Sequence, residues 1–322
     1  MRSGSRRIPT PRFGCRANLG APSVGASKIR PYGQAVVNAM KILIAGATGQ
    51  LGQALLKAAA ARGWEVVATD VAEMDITDPQ AIASHLARHR PEVVVNAAAA
   101  TRVDDLEHNA DLALRVNGLG PRNLAVACRR RGAKLIHLSS DYVFDGTKDG
   151  PYLEWDAPRP LSVYGRSKLL GEELVRQQCA DHFIVRTAWL YGRPGPNFVT
   201  AILAKGRAGE GLQVVNDQRG TPTSAQALAP QLLELARTEA FGTYHATCQG
   251  ETTWYDFARL ILETAKLATP ITPCTTAEFP RPAPRPANSV LVNRLLQLHG
   301  LDRMPSWKTA YQEFWDACGG QL

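Results

Sequence analysis

Residues 40–52 read MKILIAGATGQLG, and the fold turns on how they are read. Ile42, Leu43, Ile44 and Ala45 form a short unbroken apolar run, as expected of a strand buried on both faces of a parallel sheet. Gly46, Gly49 and Gly52 follow at three-residue spacing, and the stretch from Gln50 to Arg62, rich in Ala and Leu, suits a helix. A strand, a glycine turn and a helix in this order make a phosphate cradle, because bare backbone admits a pyrophosphate and the helix N-terminus offers unpaired N–H groups. Three spaced glycines also fit an ordinary tight turn. The flank decides for a dinucleotide: a second strand, WEVVATD, ends at Asp70, about 20 residues on, where an acid can hold a ribose hydroxyl.

Strand and helix signals go on alternating. Residues 78–90 (DPQAIASHLARHR) open with Asp and Pro and read as a helix; PEVVVNAAAA reads as a buried strand. A long helical region spans about 108–131, then AKLIHLSS as a strand, a helix over about 163–178, and FIVRTAWLYG as a strand. The expected fold class is α/β, a Rossmann-type doubly wound parallel sheet with a smaller C-terminal substrate-binding domain. The expected NAD(P)-binding domain covers 40–191. Residues 192–322, where Pro and Gly break the pattern, are expected to form mainly the substrate-binding domain, with some segments returning to the sheet.

The 322 residues carry a net charge of +8. Residues 1–39 hold seven basic residues (Arg2, Arg6, Arg7, Arg12, Arg16, Lys28, Arg30) and no acid, so the rest has 30 basic against 29 acidic residues, or +1. That balance gives no support to a nucleic-acid surface. Residues 1–39 lack a periodic apolar face and are expected to be disordered; Arg-rich and acid-free, they imitate a transit peptide, but the preferred expectation is that translation starts at Met40. No apolar run is long enough for a membrane span. The six cysteines are scattered without metal-binding spacing and read as reduced thiols of a cytoplasmic protein.

Tyr164 and Lys168, in YGRSK, fall one turn apart on a predicted helix. An ammonium beside a phenol favours the phenolate, so the pair is expected to bring the tyrosine pKa down toward working pH. In isolation the spacing also fits an exposed helix pair. Ser140, in LSSDY at the carboxyl edge of a predicted parallel strand, offers a hydroxyl to a carbonyl oxygen.

With these residues in this order, the chain resembles the extended short-chain dehydrogenase/reductase family and, within it, the dTDP-4-dehydrorhamnose reductases. The resemblance runs from Met40 to about Ala317 and rests on GATGQLG, VVVNAAAATRVDDLE, HLSSDYVFDG, YGRSK, RTAWLYG, NFV, VNDQRGTPT, GTYHATCQGETTWYDFA and RPANSVL. It implies that NADH or NADPH lies across Gly46, Gly49, Gln50, Leu51 and Gly52. It places Asp70 at the adenosine ribose, Asp75 and Ile76 beside the adenine, Ala99, Ala100 and Thr101 along the cofactor, and Tyr164 and Lys168 at the nicotinamide ribose. Ser140, Tyr164 and Lys168 would be catalytic, and Ser140, Asp141 and Trp189 would contact a nucleotide-sugar substrate. Trp189 also fits a core aromatic, and Asp141 a turn residue. The implied reaction is NAD(P)H-dependent reduction of a C4 ketone in dTDP-rhamnose biosynthesis.

Three positions depart from the family. Position 100 is Ala where Tyr or His is usual, and Ser140 stands where Thr is common, keeping the hydroxyl. Ala54 replaces a Glu that in some members joins a magnesium site at a dimer interface; Ala offers a hard cation no oxygen, which puts that metal in doubt and leaves a homodimer open. Two other functions share much of the pattern. A 4,6-dehydratase or 4-epimerase has the same fold, but dehydratases resembling this chain carry Thr-Asp-Glu where Ser140-Asp141-Tyr142 stands. A non-catalytic regulatory subunit similar to the beta subunit of methionine adenosyltransferase can keep the whole motif.

Overall fold

The computed structural model describes Met1, residues 39–209 and residues 211–320. The expectations for residues 1–39, and Cys15 with them, fall outside the described residues except at the first and last positions. Five parallel strands, β1 (Lys41–Ala45), β2 (Glu65–Thr69), β3 (Val93–Asn96), β4 (Lys134–Ser140) and β5 (His182–Thr187), are joined by a sixth, Gly242–His245. The sheet order is Gly242–His245, β5, β4, β3, β1, β2. The order reverses at β1, whose Ile42–Ala45 pairs with Val93–Asn96 on one side while Lys41–Ala45 pairs with Glu65–Thr69 on the other. Ligands of open α/β sheets bind at such a switch point, outside the carboxyl ends of the strands.

The continuous apolar strands are explained by two covered faces. Ile42, Ile44, Val93, Val95, Ile136 and Phe183 pack with helices Gln50–Ala61 and Ala225–Ala236. Leu43, Ala45, Val94, Leu135 and Ile184 face the other way, onto helices Pro79–His89 and Gly120–Arg131. Asp78 caps the first of these by accepting the Gln80 N–H at 2.8 Å.

The long helical region expected over 108–131 is interrupted. A short helix, Ala110–Ala113, passes into a π-helical stretch, Leu114–Leu119, before Gly120–Arg131. The wider turn brings Asn117 inward, where it bonds to Ala100. The strand expected over FIVRTAWLYG also breaks: β5 stops at Thr187, Trp189 takes a left-handed backbone (φ 46°), and Leu190–Tyr191 pairs instead with Thr223–Ser224.

Beyond Gly192 the chain contributes helices to both the sheet and the cleft. Ala225–Ala236 packs on the first helix, while Phe198–Ala208 and Trp254–Thr264 pack on one another. Among the described residues no helix is long and apolar enough to cross a membrane. Cys128, Cys179, Cys248, Cys274 and Cys318 are all free thiols.

Candidate active site

The glycine turn divides its duties. A Cβ on Gly46 (φ 80°) would lie 2.7 Å from the Ala98 nitrogen, and one on Gly52 would lie 2.2 Å from the Gly46 carbonyl oxygen, so both are bare because backbone packs there. A Cβ on Gly49 would meet only the Gly46 oxygen, at 3.4 Å, and Gly49 lines the cleft. Gly49 is also the N-cap of helix Gln50–Ala61 and supplies no side-chain bond to its first turn, which carries no acid. Open N–H groups and a positive helix end thus face a cleft above a bare backbone, which fits the pyrophosphate of NAD(P).

Two adjoining cavities meet at this turn. One, about 410 Å³, is lined by Gly46, Gly49, Asp70, Asp75, Ile76 and Ala99. The other, about 750 Å³, is lined by Gly49, Gln50, Leu51, Gly52, Ala99, Thr101, Ser140, Asp141, Tyr164, Lys168 and Trp189. Ala100 lines neither, since its backbone is turned onto Asn117. Asp70 accepts from both the backbone and the hydroxyl of Thr48, and from the Val71 N–H at 2.8 Å. Burial pulls its pKa upward, but these hydrogen bonds prevail and hold the carboxyl below its ordinary range. Arg115, from the π-helical stretch, lines the same cavity and is not among the residues the sequence pattern singles out.

Helix Val163–Gln178 brings Tyr164 and Lys168 to the cleft floor, with Ser162 capping it through the Gly165 N–H at 3.1 Å. A Cβ on Gly165 would lie 2.2 Å from the Tyr142 carbonyl oxygen, so the helix start is pressed against the end of β4 that carries Ser140. Lys168 is buried, and its Nζ donates to the Leu138 carbonyl at 2.5 Å. The expected lowering of the Tyr164 pKa by Lys168 does not occur here. Burial pushes the phenol up to about 12; Ser140 tempers the rise and Asp141 adds to it. Burial likewise brings Lys168 down to about 8, opposed by Glu172.

Asp141 is 2% exposed, and burial raises its carboxyl from 3.8 to about 6, against hydrogen bonding from Ser289 and Ser140. Ser140 donates to Asp141 Oδ1 at 2.8 Å and accepts the Tyr142 N–H at 3.1 Å. Tyr142 meets the Tyr164 ring edge-on at 5.6 Å between centroids.

Supporting residues went unseen in the sequence. Asn117 donates to the Ala100 carbonyl at 3.0 Å and to Ser167 Oγ at 3.1 Å, and Ser167 in turn donates to the Tyr164 carbonyl at 2.7 Å. The cofactor loop and the Tyr164 helix are thereby tied together. One turn beyond Lys168, the fully buried Glu172 accepts from Arg186 (2.8 and 2.7 Å), Arg176 (2.6 Å) and Ser139 (2.6 Å). This anchors the helix to β4 and β5.

The far wall of the cleft is aromatic. Trp189 lies flat on Trp254, 3.5 Å between centroids and 8° apart, and a Cβ on Gly220 would fall 2.3 Å from Trp189 Cε2. Beyond Trp254 and Tyr142 opens a third cavity of about 540 Å³, walled by Phe198, Ile202, Val214 and Phe279 and edged by Arg281 and Arg285. Asp104 accepts from Arg281 Nη2 at 2.5 Å and Arg285 Nη2 at 3.0 Å. Ala54 is buried in the first helix, and among the described residues no group of three His, Cys, Asp or Glu is placed to hold a metal ion.

Residues 40–319 match the RmlD substrate binding domain family. A dTDP-4-dehydrorhamnose reductase of Streptomyces griseus is 44% identical over 288 residues, covering 86% of this chain and 94% of that protein. The crystal structure of a dTDP-4-dehydrorhamnose reductase from Clostridium acetobutylicum is 45% identical and superposes with a TM-score of 0.85, covering 87% of this chain and 100% of that one. That of the Bacillus anthracis dTDP-4-dehydrorhamnose reductase in complex with NADP is 37% identical with a TM-score of 0.84, over 86% and 99% of the two chains. The chain belongs to the RmlD substrate binding domain family, among the dTDP-4-dehydrorhamnose reductases.

Proposed function

We propose that the protein reduces the C4 ketone of dTDP-4-dehydro-L-rhamnose, with NADH or NADPH as donor, to give dTDP-L-rhamnose. The observation that carries this reading is one cleft holding an open glycine turn, Ser140, Tyr164 and Lys168 together under an aromatic wall. Residues 40–191 would hold the cofactor and 192–322 mainly the nucleotide sugar, which would reach past Trp254 toward Arg281 and Arg285. When bound, the nicotinamide supplies the hydride.

The chain's own residues do the rest. A phenol held up to about 12 keeps its proton at neutral pH, so Tyr164 enters the cycle as an acid and gives that proton to the oxygen as negative charge develops there. Ser140 donates a hydrogen bond to the same oxygen, stabilising the charge. Lys168 holds the cofactor ribose and steadies the Tyr164 face of the helix. Trp189 and Trp254 keep water from the sugar face. Tyr142 stands where a dehydratase would want a carboxylate; burial and the neighbouring Asp141 push its phenol well above the ordinary range, so it stays protonated and is no base for water loss. The unpaired cysteines fit a reducing cytoplasmic compartment.

Isotope transfer tests the reaction. NADH deuterated at the transferable position should leave deuterium on C4 of the sugar, retained in the isolated product. Product without label at C4 contradicts the assignment.

A further inference from the structure

The Ser140 hydroxyl is already committed. A serine hydroxyl has one hydrogen to give and two lone pairs. Here the hydrogen goes to Asp141 Oδ1 at 2.8 Å and one lone pair takes the Tyr142 N–H at 3.1 Å. Ser140 in this state has nothing left to donate to a carbonyl. Asp141, buried and lining the same cleft, has a second oxygen, Oδ2, that is buried without a hydrogen-bond partner.

Resting on the reductase reading, we propose that Asp141 is a positioning residue that works as a neutral acid: protonated, it donates to Ser140 Oγ and so turns the Ser140 hydrogen toward the substrate ketone. The count then closes. Ser140 accepts from Tyr142 N–H and from the Asp141 acid, and its own hydrogen is free for the substrate. Asp141 gives up no proton in the net reaction; the proton that completes the alcohol comes from Tyr164.

The surroundings favour a neutral Asp141. Tyr142 adjoins it, and Tyr164 faces it from the helix. The Ser289 hydroxyl comes close from the 288–290 segment, though its geometrically sound bond is to the Arg219 carbonyl at 3.4 Å. Lys168, one turn beyond Tyr164, spends its ammonium on the Leu138 carbonyl, and Arg285, which acts on Tyr142, is already paired with Asp104. No cation touches Asp141 among the described residues.

The test is the pH dependence of initial rates of the full chain with saturating NADH. Wild-type kcat/KM should fall roughly tenfold between about pH 5 and about pH 8 as Asp141 ionises, whereas Asp141→Asn, whose amide always donates, should vary less than about threefold. Ser140→Ala should flatten the residual profile as well, because the effect passes through Ser140. An unchanged fall in either variant overturns the proposal. So does an Asp141→Asn enzyme that binds NADH normally yet shows no turnover at any pH. A binding-independent arm is difference infrared spectroscopy of the protein alone. A buried carboxylic acid band, absent from Asp141→Asn, should titrate well above the ordinary Asp range, and its absence from wild type overturns the proposal. If wild type reduces no 4-keto nucleotide sugar while that band is present, the reductase reading fails and the neutral Asp141 stands.

Discussion

Trp189 and Trp254 lie face to face at 3.5 Å, although 65 residues separate them and Trp189 must take a left-handed backbone to get there. Such strain costs on the order of 1–3 kcal/mol and persists only where the surroundings enforce it. Here the enforcement is the Trp254 ring on one side and the Gly220 backbone close to the indole.

Removing that support should loosen the sugar wall without touching the cofactor. Trp254→Leu should raise the nucleotide-sugar KM by about 2- to 10-fold, the worth of an aromatic pair, with NADH affinity unchanged. The stacked indoles should give an exciton couplet in far-ultraviolet circular dichroism that the variant loses. Wild type without the couplet would show that the stack is not populated in solution.

Tyr164→Phe keeps the ring against Tyr142 and removes the acid. Turnover should fall by roughly 10² to 10⁴, with little change in NADH affinity by fluorescence titration. Retention of most activity would place the proton donor elsewhere.

How much of this site the sequence discloses depends on how local the cause is. The glycine turn, Asp70, Asp78 capping its helix and the Tyr164–Lys168 spacing are short-range features, and each lies where the sequence pattern puts it. The effect of Lys168 on Tyr164 is not legible in the sequence, because spacing along a helix says nothing about burial, which dominates both groups and leaves Lys168 bonded to Leu138. The π-helical turn at Asn117 was invisible, being fixed by bonds to Ala100 on another segment. Asp104 and Arg281, 177 residues apart, meet only through the folded chain.

Cofactor choice should respond to Asp70 and Arg115 in opposite directions. A carboxylate held ionised by Thr48 and Val71 repels a 2′-phosphate, so NADH should bind at least as well as NADPH, and Asp70→Asn should shift the ratio of affinities toward NADPH. Arg115→Ala should shift it toward NADH, because Arg115 is the cation lining that cavity. Titration of each cofactor against the variants decides. No change with either would place the discriminating groups outside this cavity.

Two buried carboxylates should leave opposite marks on stability. Glu172 titrates below its ordinary 4.5: burial opposes this, but Arg186, Ser139 and Arg176 prevail. Its contribution is therefore present above about pH 4.5 and lost as pH falls through its folded value. Glu172→Gln strands Arg186 and should cost about 3–5 kcal/mol at neutral pH by urea unfolding. Asp141, raised to about 6, does the reverse, with its penalty appearing as pH rises from 3.8 through 6. Asp141→Asn should thus stabilise the protein by on the order of 1–3 kcal/mol near pH 8, a gain that vanishes below 3.8. Equal stability of this variant and wild type near pH 8 would contradict a raised Asp141.

The most direct test of the central claim follows nicotinamide absorbance while the protein turns over dTDP-4-dehydro-L-rhamnose. The account predicts loss of one NADH for each dTDP-L-rhamnose formed, because net ketone reduction must consume the donor. A dehydratase or epimerase takes hydride and returns it, leaving the nicotinamide pool constant over a cycle. Sugar conversion at constant NADH, or tight NADH binding with no conversion of any 4-keto nucleotide sugar, would contradict it.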